Sequence, residues 1–407
     1  EALAPHVEWS LGEILRDEDG EWLGRLDVVQ PALFAMMVSI ADLWRASGVE
    51  PAAVVGHSQG EIAAAHVAGA LSLEDAARIV ARRARAMSAI AGQGGMLWIS
   101  QPLEQLSPRL EDFDGRVSLA AINGPRSLVV SGEPQALAEL AASSKADGVQ
   151  TRPVAVDYAA HSAQIDALES ELLDAFAPIA PRPTDIPFYS TVTAGLHEGG
   201  ELDPGYWFRN LRQTVHFDPV LRSLLERGSR AFVEIAPHPV LAYGVTETIE
   251  DALGGKADAF VVGALRRDDG GASRFALSLA EAHAHGVELG WEAIFAGSGA
   301  EPVSLPTYPF QRERFWISQA ASAADPRALG QEPLEHPLLR SALRTAAGEI
   351  LLTGRVSRDL LSGLGEDPAS GSVVVPPAAL LEMACLAARL AGYEGVGSLQ
   401  IGDPLVL

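Results

Sequence analysis

The residues whose types and spacing best suit a chemical reaction are Gly56-His57-Ser58-Gln59-Gly60, which follow the apolar pair Val54-Val55. Glycines on both sides of Ser58 are expected to permit a sharp strand-to-helix turn, because a Cβ at either position would clash. Such a turn exposes the serine hydroxyl, and the helix after it directs backbone N–H groups and the positive end of its dipole to the same place. The pattern favours a serine that carries an acyl group, although a glycine–serine turn without chemistry fits the same residues.

Arg83 could neutralise the charge of an anionic substrate. The helix predicted after Ser72 has an apolar stripe at helical spacing, formed by Ala76, Ile79, Val80 and Met87. Arg83 lies four residues from both Ile79 and Met87, on that buried side. Because a buried guanidinium without an anion is costly, we expect Arg83 to face either an anionic ligand or a protein carboxylate in a structural salt bridge.

His161 is the best candidate for a general base. It follows a predicted strand over residues 152–156 and precedes Ser162, the expected N-cap of a helix whose apolar stripe is Ile165, Leu168, Leu172 and Phe176. A histidine just outside a helix N-terminus faces the positive end of the dipole, which keeps the imidazole neutral and able to accept a proton. A solvated loop histidine fits the sequence equally well.

Composition and charge narrow the classes of partner. The 407 residues allow two or three domains at about 150 residues each. The net charge of −23 argues against nucleic acid and against an anionic membrane as partners, and no uninterrupted apolar run of about 18 residues is present. The single cysteine, Cys385, allows no internal disulfide and fits a reducing cytoplasm. The pair His283 and His285 lacks a third ligand, so we expect no metal site.

Three segments differ in their residue patterns. Over residues 1–285 helices alternate with short apolar strands, as in a parallel α/β sheet, and four strands between residues 95 and 156 with a helix from Pro134 to Ala146 indicate a small α+β subdomain inserted at about 96–157. Residues 286–335 resemble a linker, and residues 336–407 a further globular piece with a helix from about Pro377 to Leu390. The chain starts at Glu1 and its last five residues resemble a strand interior, so we expect it to be a piece of a longer protein.

Seven motifs along the chain resemble those of the acyltransferase domain of modular polyketide synthases, which is related to the malonyl transferases of fatty-acid synthesis. They are residues 25–31, 56–61, 82–85, 121–125, 156–161, 206–212 and 232–241. Residues 305–312 resemble the family's post-acyltransferase linker, which wraps back toward a preceding ketosynthase. The resemblance covers nearly all of residues 1–318.

The resemblance implies an α/β fold with a parallel-sheet, hydrolase-like large subdomain and an inserted ferredoxin-like small subdomain, followed by the linker. From His336 onward the chain resembles the start of a polyketide dehydratase domain, which would be a partial hotdog-fold segment. Active dehydratases carry a catalytic histidine four residues before a glycine, where this chain has Asp367 before Gly371. Because a carboxylate cannot easily replace an imidazole as the base, we expect this segment to be inactive.

The same resemblance implies a ping-pong reaction. Ser58 attacks the thioester of an α-carboxyacyl-CoA with His161 as base, and Arg83 holds the free carboxylate as a bidentate pair. The phosphopantetheine thiol of an acyl carrier protein then takes the acyl group. Further implied partners are the ketosynthase of the same polypeptide and a second copy in a homodimeric assembly, and no cofactor is bound by this region.

Two backbone groups complete the implied mechanism. The Gln59 N–H belongs to the oxyanion hole, together with a Gly-Gln-Gly-Ser loop that the family places upstream of Glu1. A backbone carbonyl near Pro237-His238-Pro239 is expected to orient His161, because the family has no acid in that role.

The residues that select the acyl unit are expected beside the serine and ahead of the histidine. The implied substrate-binding residues are Arg83, His57, Gln59, Tyr158 and Ala160. Gln59, residues 27–30 and the sequence Tyr158-Ala159-Ala160-His161 resemble methylmalonyl loaders, except that Ala160 replaces a serine. Alanine leaves open the space that a phenylalanine fills in malonyl loaders, so the α-methyl of methylmalonyl is expected to fit. A slightly larger unit such as ethylmalonyl is then not expected to be strongly rejected, since one methylene changes binding by only about 1–3 kcal/mol.

Two other functions explain part of these observations. A serine hydrolase or thioesterase would use the same serine, but it does not need a buried Arg83, and α/β-hydrolases place an acid between serine and histidine in chain order. A truncated, non-catalytic structural piece of a megasynthase would keep the fold without the upstream loop.

Overall fold

The computed structural model describes residues 1–255, 259–299, 301, 303–313, 325–361 and 372–407. The chain divides into two compact units, Glu1–Pro302 and Val303–Leu407. Each unit has a hydrophobic core of its own. Asp367 and Gly371, on which the prediction of an inactive dehydratase rests, lie outside the described residues.

Helices and short strands alternate through the first unit, as its apolar pattern predicts. The α-helices are α1 (Leu11–Ile14), α2 (Leu26–Ala46), α3 (Gly60–Val67), α4 (Leu73–Ser88), α5 (Leu103–Glu111), α6 (Pro134–Ala146), α7 (Glu169–Phe176), α8 (Pro204–Arg212), α9 (Phe217–Glu226), α10 (Ala242–Leu253), α11 (Ala272–Ala284) and α12 (Trp291–Phe295). The strands are β1 (Val54–Val55), β2 (Gly95–Ile99), β3 (Val117–Gly124), β4 (Ser127–Gly132), β5 (Thr151–Pro153), β6 (Phe188–Ser190), β7 (Gly195–His197), β8 (Val215–His216), β9 (Ala231–Glu234) and β10 (Phe260–Gly263).

Strand pairing separates a parallel part from an antiparallel part. Strand β1 pairs in parallel with β6, and β9 in parallel with β10, while β7 adds an antiparallel edge to β6. A second sheet has the order β5-β2-β4-β3-β8 and is antiparallel except where β8 joins β3. All four strands predicted between residues 95 and 156 lie in this sheet, and α6 has its predicted bounds. The pairing fits the predicted α/β class.

The packing of α4 determines which way Arg83 points. The Ser72 hydroxyl caps the helix by accepting the Asp75 backbone N–H at 3.0 Å. The predicted apolar stripe is fully buried at Ala76, Ile79, Val80 and Met87. It joins Ile62 of α3 and Phe34 of α2 in one cluster, and burial of each large side chain stabilises the fold by about 1.5–3 kcal/mol. This stripe turns the Arg83 side of α4 inward.

Helix α2 is long and apolar enough to cross a membrane, judged by length and composition alone. Core helices of soluble proteins meet the same test, and α2 packs inside the unit. Phe34 and Val38 join the cluster around α3 and α4, and Ile40 and Trp44 join a cluster with α11 and β10. This packing accounts for the apolar composition of the helix.

The first part of the expected linker packs into the first unit. Gly290 N–H donates to the Ser47 carbonyl at 2.8 Å, and a Cβ on Gly48 would lie 2.5 Å from the Gly290 nitrogen. The side chains of residues 287, 289 and 294 join the apolar cluster around Trp44. The compact unit therefore extends past residue 285.

The second unit combines a small sheet with one long helix. Strands β11 (Glu332–Pro333), β12 (Ser341–Arg344) and β13 (Ile350–Thr353) pair antiparallel in that order. Helix α13 (Pro377–Leu390) begins on a proline, whose fixed φ suits the first helical position, and has its predicted bounds. The buried core of the unit is Leu338, Leu361, Val373 and Val375.

Candidate active site

Ser58 stands on the turn between β1 and α3, in the left-handed backbone region at φ 52°. A Cβ on Gly56 would lie 2.1 Å from the Glu61 nitrogen, so only glycine fits there. A Cβ on Gly60 would meet no described atom within 4 Å. The prediction that both glycines are sterically required is therefore wrong for Gly60, because the start of α3 leaves open space beside it.

His161 meets Ser58 across the site. The His161 Nε2 lies 2.8 Å from the Ser58 Oγ, and the His161 Nδ1 lies 2.7 Å from the backbone carbonyl of Gln213. A carbonyl can only accept, so the imidazole carries its proton on Nδ1, and Nε2 is free to accept the serine proton. The prediction that a carbonyl near Pro237-His238-Pro239 orients His161 is wrong, because the chain after α8 brings the Gln213 carbonyl there.

The His161 imidazole is held neutral. Burial, and to a lesser extent the nearby charge of Arg83, lower its pKa to about 3 against the opposing effect of the hydrogen bond to Gln213. His161 is 4% exposed, so the alternative of a solvated loop histidine is wrong. Ser162 does cap the next turn, a 3₁₀ helix at Ala163–Leu168, but burial is the larger cause of the neutral state.

Arg83 lies on the other side of the same hydroxyl. Its guanidinium donates from Nη2 to the Ser58 Oγ at 2.9 Å and from Nη1 to the Asn210 Oδ1 at 2.8 Å. Because a guanidinium can only donate, Arg83 occupies a lone pair of the serine oxygen and leaves its proton directed at His161. In the described part of the chain no carboxylate forms a salt bridge with Arg83, so the predicted alternative of a structural salt bridge is not observed. Burial lowers the pKa of Arg83 to about 10, which leaves it charged at neutral pH.

Glu61, in the first turn of α3, has a site role that the sequence analysis missed. Its side chain is fully buried and accepts hydrogen bonds from Thr191, Tyr206 and Asn210. Burial raises the pKa of Glu61, and these donors oppose the shift. The available signal was an acid followed by the apolar run Ile62-Ala63-Ala64-Ala65, since a charge at the start of a buried helix needs partners.

The neighbours of Ser58 in sequence have different surroundings. The His57 Nε2 lies 2.8 Å from the Asn123 Oδ1 of β3, and burial lowers the pKa of His57. The Gln59 side-chain Oε1 is buried without a hydrogen-bond partner among the described residues. The Gln59 backbone N–H also has no acceptor in the described structure. A free N–H beside the nucleophile is the arrangement that an oxyanion-hole donor requires.

Two of the expected selectivity residues, Tyr158 and Ala160, lie close to Arg83 and His161: the Arg83 charge acts on Tyr158, and Ala160 directly precedes His161. Burial raises the pKa of Tyr158, while the Arg83 charge and the Gln30 side chain act in the opposite direction. Ala160 is buried in the core cluster that includes α4. The fold therefore brings Gln30, from the segment expected to affect selectivity, to Tyr158, which also lies within reach of the Arg83 charge.

Metal ligands are not clustered at this site. Across the residues that the structure describes, no group of three or more histidine, cysteine, aspartate or glutamate side chains could hold a metal ion. The chemistry available here is that of a serine nucleophile, a neutral imidazole and a buried cation.

Two protein families match the chain. The acyl transferase domain family matches residues 1–289, and the polyketide synthase dehydratase domain family matches residues 336–407. Spectinabilin polyketide synthase system protein NorA' of Streptomyces orinoci is 52% identical over 411 residues, and polyketide synthase GfsB of Streptomyces halstedii is 50% identical over 411 residues. Both alignments cover 100% of this chain but 11% and 7% of these proteins, so the chain spans about a tenth or less of their length.

Solved structures show the same likeness in three dimensions. The acyltransferase domain from module 8 of the salinomycin polyketide synthase is 54% identical with a TM-score of 0.70, over 72% of this chain and 69% of that one. A loading acyltransferase from the avermectin modular polyketide synthase is 47% identical with a TM-score of 0.66, over 69% of this chain and 88% of that one.

Proposed function

Because the chain belongs to the acyl transferase domain family and continues into a polyketide synthase dehydratase domain, we propose that it transfers an α-carboxyacyl extender unit, methylmalonyl, from coenzyme A to an acyl carrier protein. The single observation that carries the proposal is the position of the Ser58 Oγ, 2.8 Å from the His161 Nε2 and 2.9 Å from the Arg83 Nη2. A nucleophile between a neutral base and a buried cation suits a substrate with both a thioester and a carboxylate.

In the first half-reaction His161 accepts the Ser58 proton as the serine oxygen attacks the thioester carbonyl. The Gln59 N–H stabilises the negative charge that develops on the carbonyl oxygen. The C–S bond then breaks, and the His161 imidazolium returns the proton to the leaving coenzyme A sulfur. In the second half-reaction His161 takes the proton of the phosphopantetheine thiol as its sulfur attacks the acyl-serine carbonyl. The C–O bond of the ester then breaks, and His161 returns the proton to the leaving Ser58 oxygen.

Arg83 supplies the interaction that selects carboxylated acyl groups. The substrate carboxylate exchanges with the Ser58 hydroxyl on the guanidinium and accepts a pair of charge-assisted hydrogen bonds. Each such bond contributes about 1.5–3 kcal/mol. The free Nε–H, which has no acceptor among the described residues, offers a second donor for this pairing.

The preference for methylmalonyl over malonyl rests on Ala160, Tyr158, Gln59 and Gln30. Ala160 is small and buried beside the catalytic histidine, so an α-methyl group meets no ring there. His57, which precedes Ser58, is held by its bond to Asn123.

The proposal includes the domain boundaries and the partners of the acyltransferase. The acyltransferase comprises residues 1–285 together with the first linker residues that pack onto it, with a ferredoxin-like small subdomain inserted in a hydrolase-like large one. A post-acyltransferase linker follows over 286–335, and an inactive start of a double-hotdog dehydratase over 336–407. The partners are an acyl carrier protein and a ketosynthase of the same polypeptide, in a cytoplasmic homodimer.

Acylation of Ser58 in competition tests the proposal. The intact synthase module is mixed with malonyl-, methylmalonyl-, ethylmalonyl- and acetyl-CoA, and acyl-Ser58 and the loaded carrier are identified by mass spectrometry. Methylmalonyl on Ser58 and then on the carrier is the expected result. Release of free acid in place of carrier loading would indicate a hydrolase, and an unacylated Ser58 would indicate a structural module.

A further inference from the structure

The Asn210 amide links the Glu61 carboxylate to the Arg83 guanidinium. Its Oε1 accepts the Thr191 backbone N–H and lies 2.8 Å from the Thr191 hydroxyl. Its Oε2 accepts from the Tyr206 hydroxyl at 2.9 Å and from the Asn210 Nδ2 at 2.7 Å. Four donors thus surround a fully buried carboxylate, and one of them, Asn210, is also the partner of Arg83.

The Asn210 amide can take only one orientation in this network. Its Nδ2 faces two groups that only accept hydrogen bonds, the Glu61 Oε2 at 2.7 Å and the Ser58 carbonyl at 3.2 Å. Its Oδ1 faces the Arg83 guanidinium, which only donates, at 2.8 Å. A flipped amide would place oxygen against oxygen and N–H against N–H, so Glu61 fixes the side of Asn210 that meets Arg83.

The spacing of the charges follows from this arrangement. Glu61 is an anion near Arg83, and its charge favours the charged guanidinium, but the Asn210 amide lies between the two. A carboxylate in direct contact would occupy the guanidinium and compete with a substrate carboxylate. An amide in that position orients Arg83 and leaves its charge available to the ligand.

We propose that Glu61 is a positioning residue that, through Asn210, holds the Arg83 guanidinium beside Ser58 and thereby determines the preference for carboxylated acyl groups. The inference deepens the proposed function and rests on it. The Glu61 carboxylate bonds Thr191, Tyr206 and Asn210 and not the Ser58 hydroxyl, so its effect is on selectivity for the carboxylate and not on the acyl transfer chemistry itself.

The test compares Glu61→Gln with Glu234→Gln in the intact module. Glu61→Gln keeps the shape of the side chain but replaces one carboxylate oxygen with an N–H₂ group. That group then faces either the two Thr191 donors or the Tyr206 and Asn210 donors, and it cannot accept their hydrogen bonds. Glu234 is a half-buried carboxylate outside the site that accepts backbone N–H groups from Val240 and Leu241, so Glu234→Gln makes the same chemical change elsewhere. Thermal unfolding is recorded for both, and kcat/KM for Ser58 acylation is measured with methylmalonyl-CoA and with acetyl-CoA.

Glu61→Gln is expected to lower the methylmalonyl-to-acetyl ratio of kcat/KM by about 10- to 100-fold, the range for one charge-assisted hydrogen bond. Most of the loss should appear in KM for methylmalonyl-CoA, whereas Glu234→Gln should leave the ratio unchanged. A folded Glu61→Gln protein with the wild-type ratio would overturn the inference, and so would an equal fall of the ratio in both variants.

If Glu61→Gln does not fold, Asn210→Asp tests whether the group that bonds Arg83 determines the preference for carboxylated acyl groups. It places a carboxylate directly on Arg83, and KM for methylmalonyl-CoA should rise about 10-fold or more with a smaller change for acetyl-CoA. An unchanged ratio there overturns the inference. Arg83→Ala distinguishes failure of this inference from failure of the proposed function. If the wild-type protein shows no preference for methylmalonyl-CoA over acetyl-CoA, the proposed function is wrong, and the inference that rests on it is wrong as well. If Arg83→Ala loses the preference and folded Glu61→Gln keeps it, only the inference fails.

Discussion

The acylation of Ser58 should keep its full rate well below the pH at which an ordinary histidine is protonated. Catalysis needs the neutral imidazole, and burial together with the Arg83 charge lowers the pKa of His161 to about 3. A histidine in water has a pKa of about 6.5 and would lose the neutral form over the range from about pH 7 to pH 5. The wild-type profile should therefore be flat from about pH 8 to pH 5.

Replacing Arg83 with alanine should move the acid limb of this profile upward. The Arg83 Nη2 and the His161 Nε2 both bond the Ser58 Oγ, at 2.9 and 2.8 Å, so the two charges would lie within about 6 Å of each other. At about 5 Å and an effective dielectric constant of about 20, their repulsion is about 3 kcal/mol, or about 2 pH units. The shift must be upward, because loss of the Arg83 cation stabilises the His161 imidazolium and raises the pKa of His161. The neutral imidazole that acts as the base is then lost at a higher pH.

The assay uses acetyl-CoA, which has no carboxylate and so does not depend on Arg83 for binding. Rates of acetyl-Ser58 formation are measured by rapid quench and mass spectrometry from about pH 4.5 to pH 8. Arg85→Ala is the matched control, because it removes an exposed charge from the same helix and exposed charges are screened by salt. A wild-type limb centred near pH 6.5 would refute the neutral buried base, and an Arg83→Ala limb that coincides with that of wild type would refute the role of the Arg83 charge.

Three further outcomes are expected. Arg83→Ala should lower kcat/KM for methylmalonyl transfer by about 10²- to 10⁴-fold, as the loss of two charge-assisted hydrogen bonds predicts, and acetyl transfer far less; equal losses would assign Arg83 a structural role. The double variant Ala160→Phe with Tyr158→His should shift the methylmalonyl-to-malonyl ratio of kcat/KM by about 10- to 200-fold toward malonyl when the two substrates compete. It should also lower the free energy of unfolding by about 1–3 kcal/mol, because Ala160 is buried. An unchanged ratio would place selectivity at Gln59 or Gln30. The dehydratase-like segment should form no α,β-unsaturated carrier-bound product in its module, because Asp367 stands at the histidine position, and detection of that product by mass spectrometry would contradict this.

The local sequence pattern was sufficient to predict those features that depend on interactions between residues close together in the chain. The bounds of α6 and α13, the Ser72 cap and the buried stripe of α4 follow from helical spacing and from proline and serine preferences. Arg83 was identified in this way, because its distance from Ile79 and Met87 along one helix already places it on the buried side. Ser58 follows from the turn, where Gly56 is required by contact with a residue only five positions away.

Tertiary structure decided the contacts between residues that are distant in the chain. His161 is oriented by the Gln213 carbonyl and is neutral chiefly because it is buried, neither of which a helix pattern contains. The partner of Arg83 is an amide and not a carboxylate, and the carboxylate that fixes this amide, Glu61, is 149 residues from Asn210. Hydrogen-bond partners of buried polar groups are set by which elements the fold packs together, and a single sequence records only that such groups need partners.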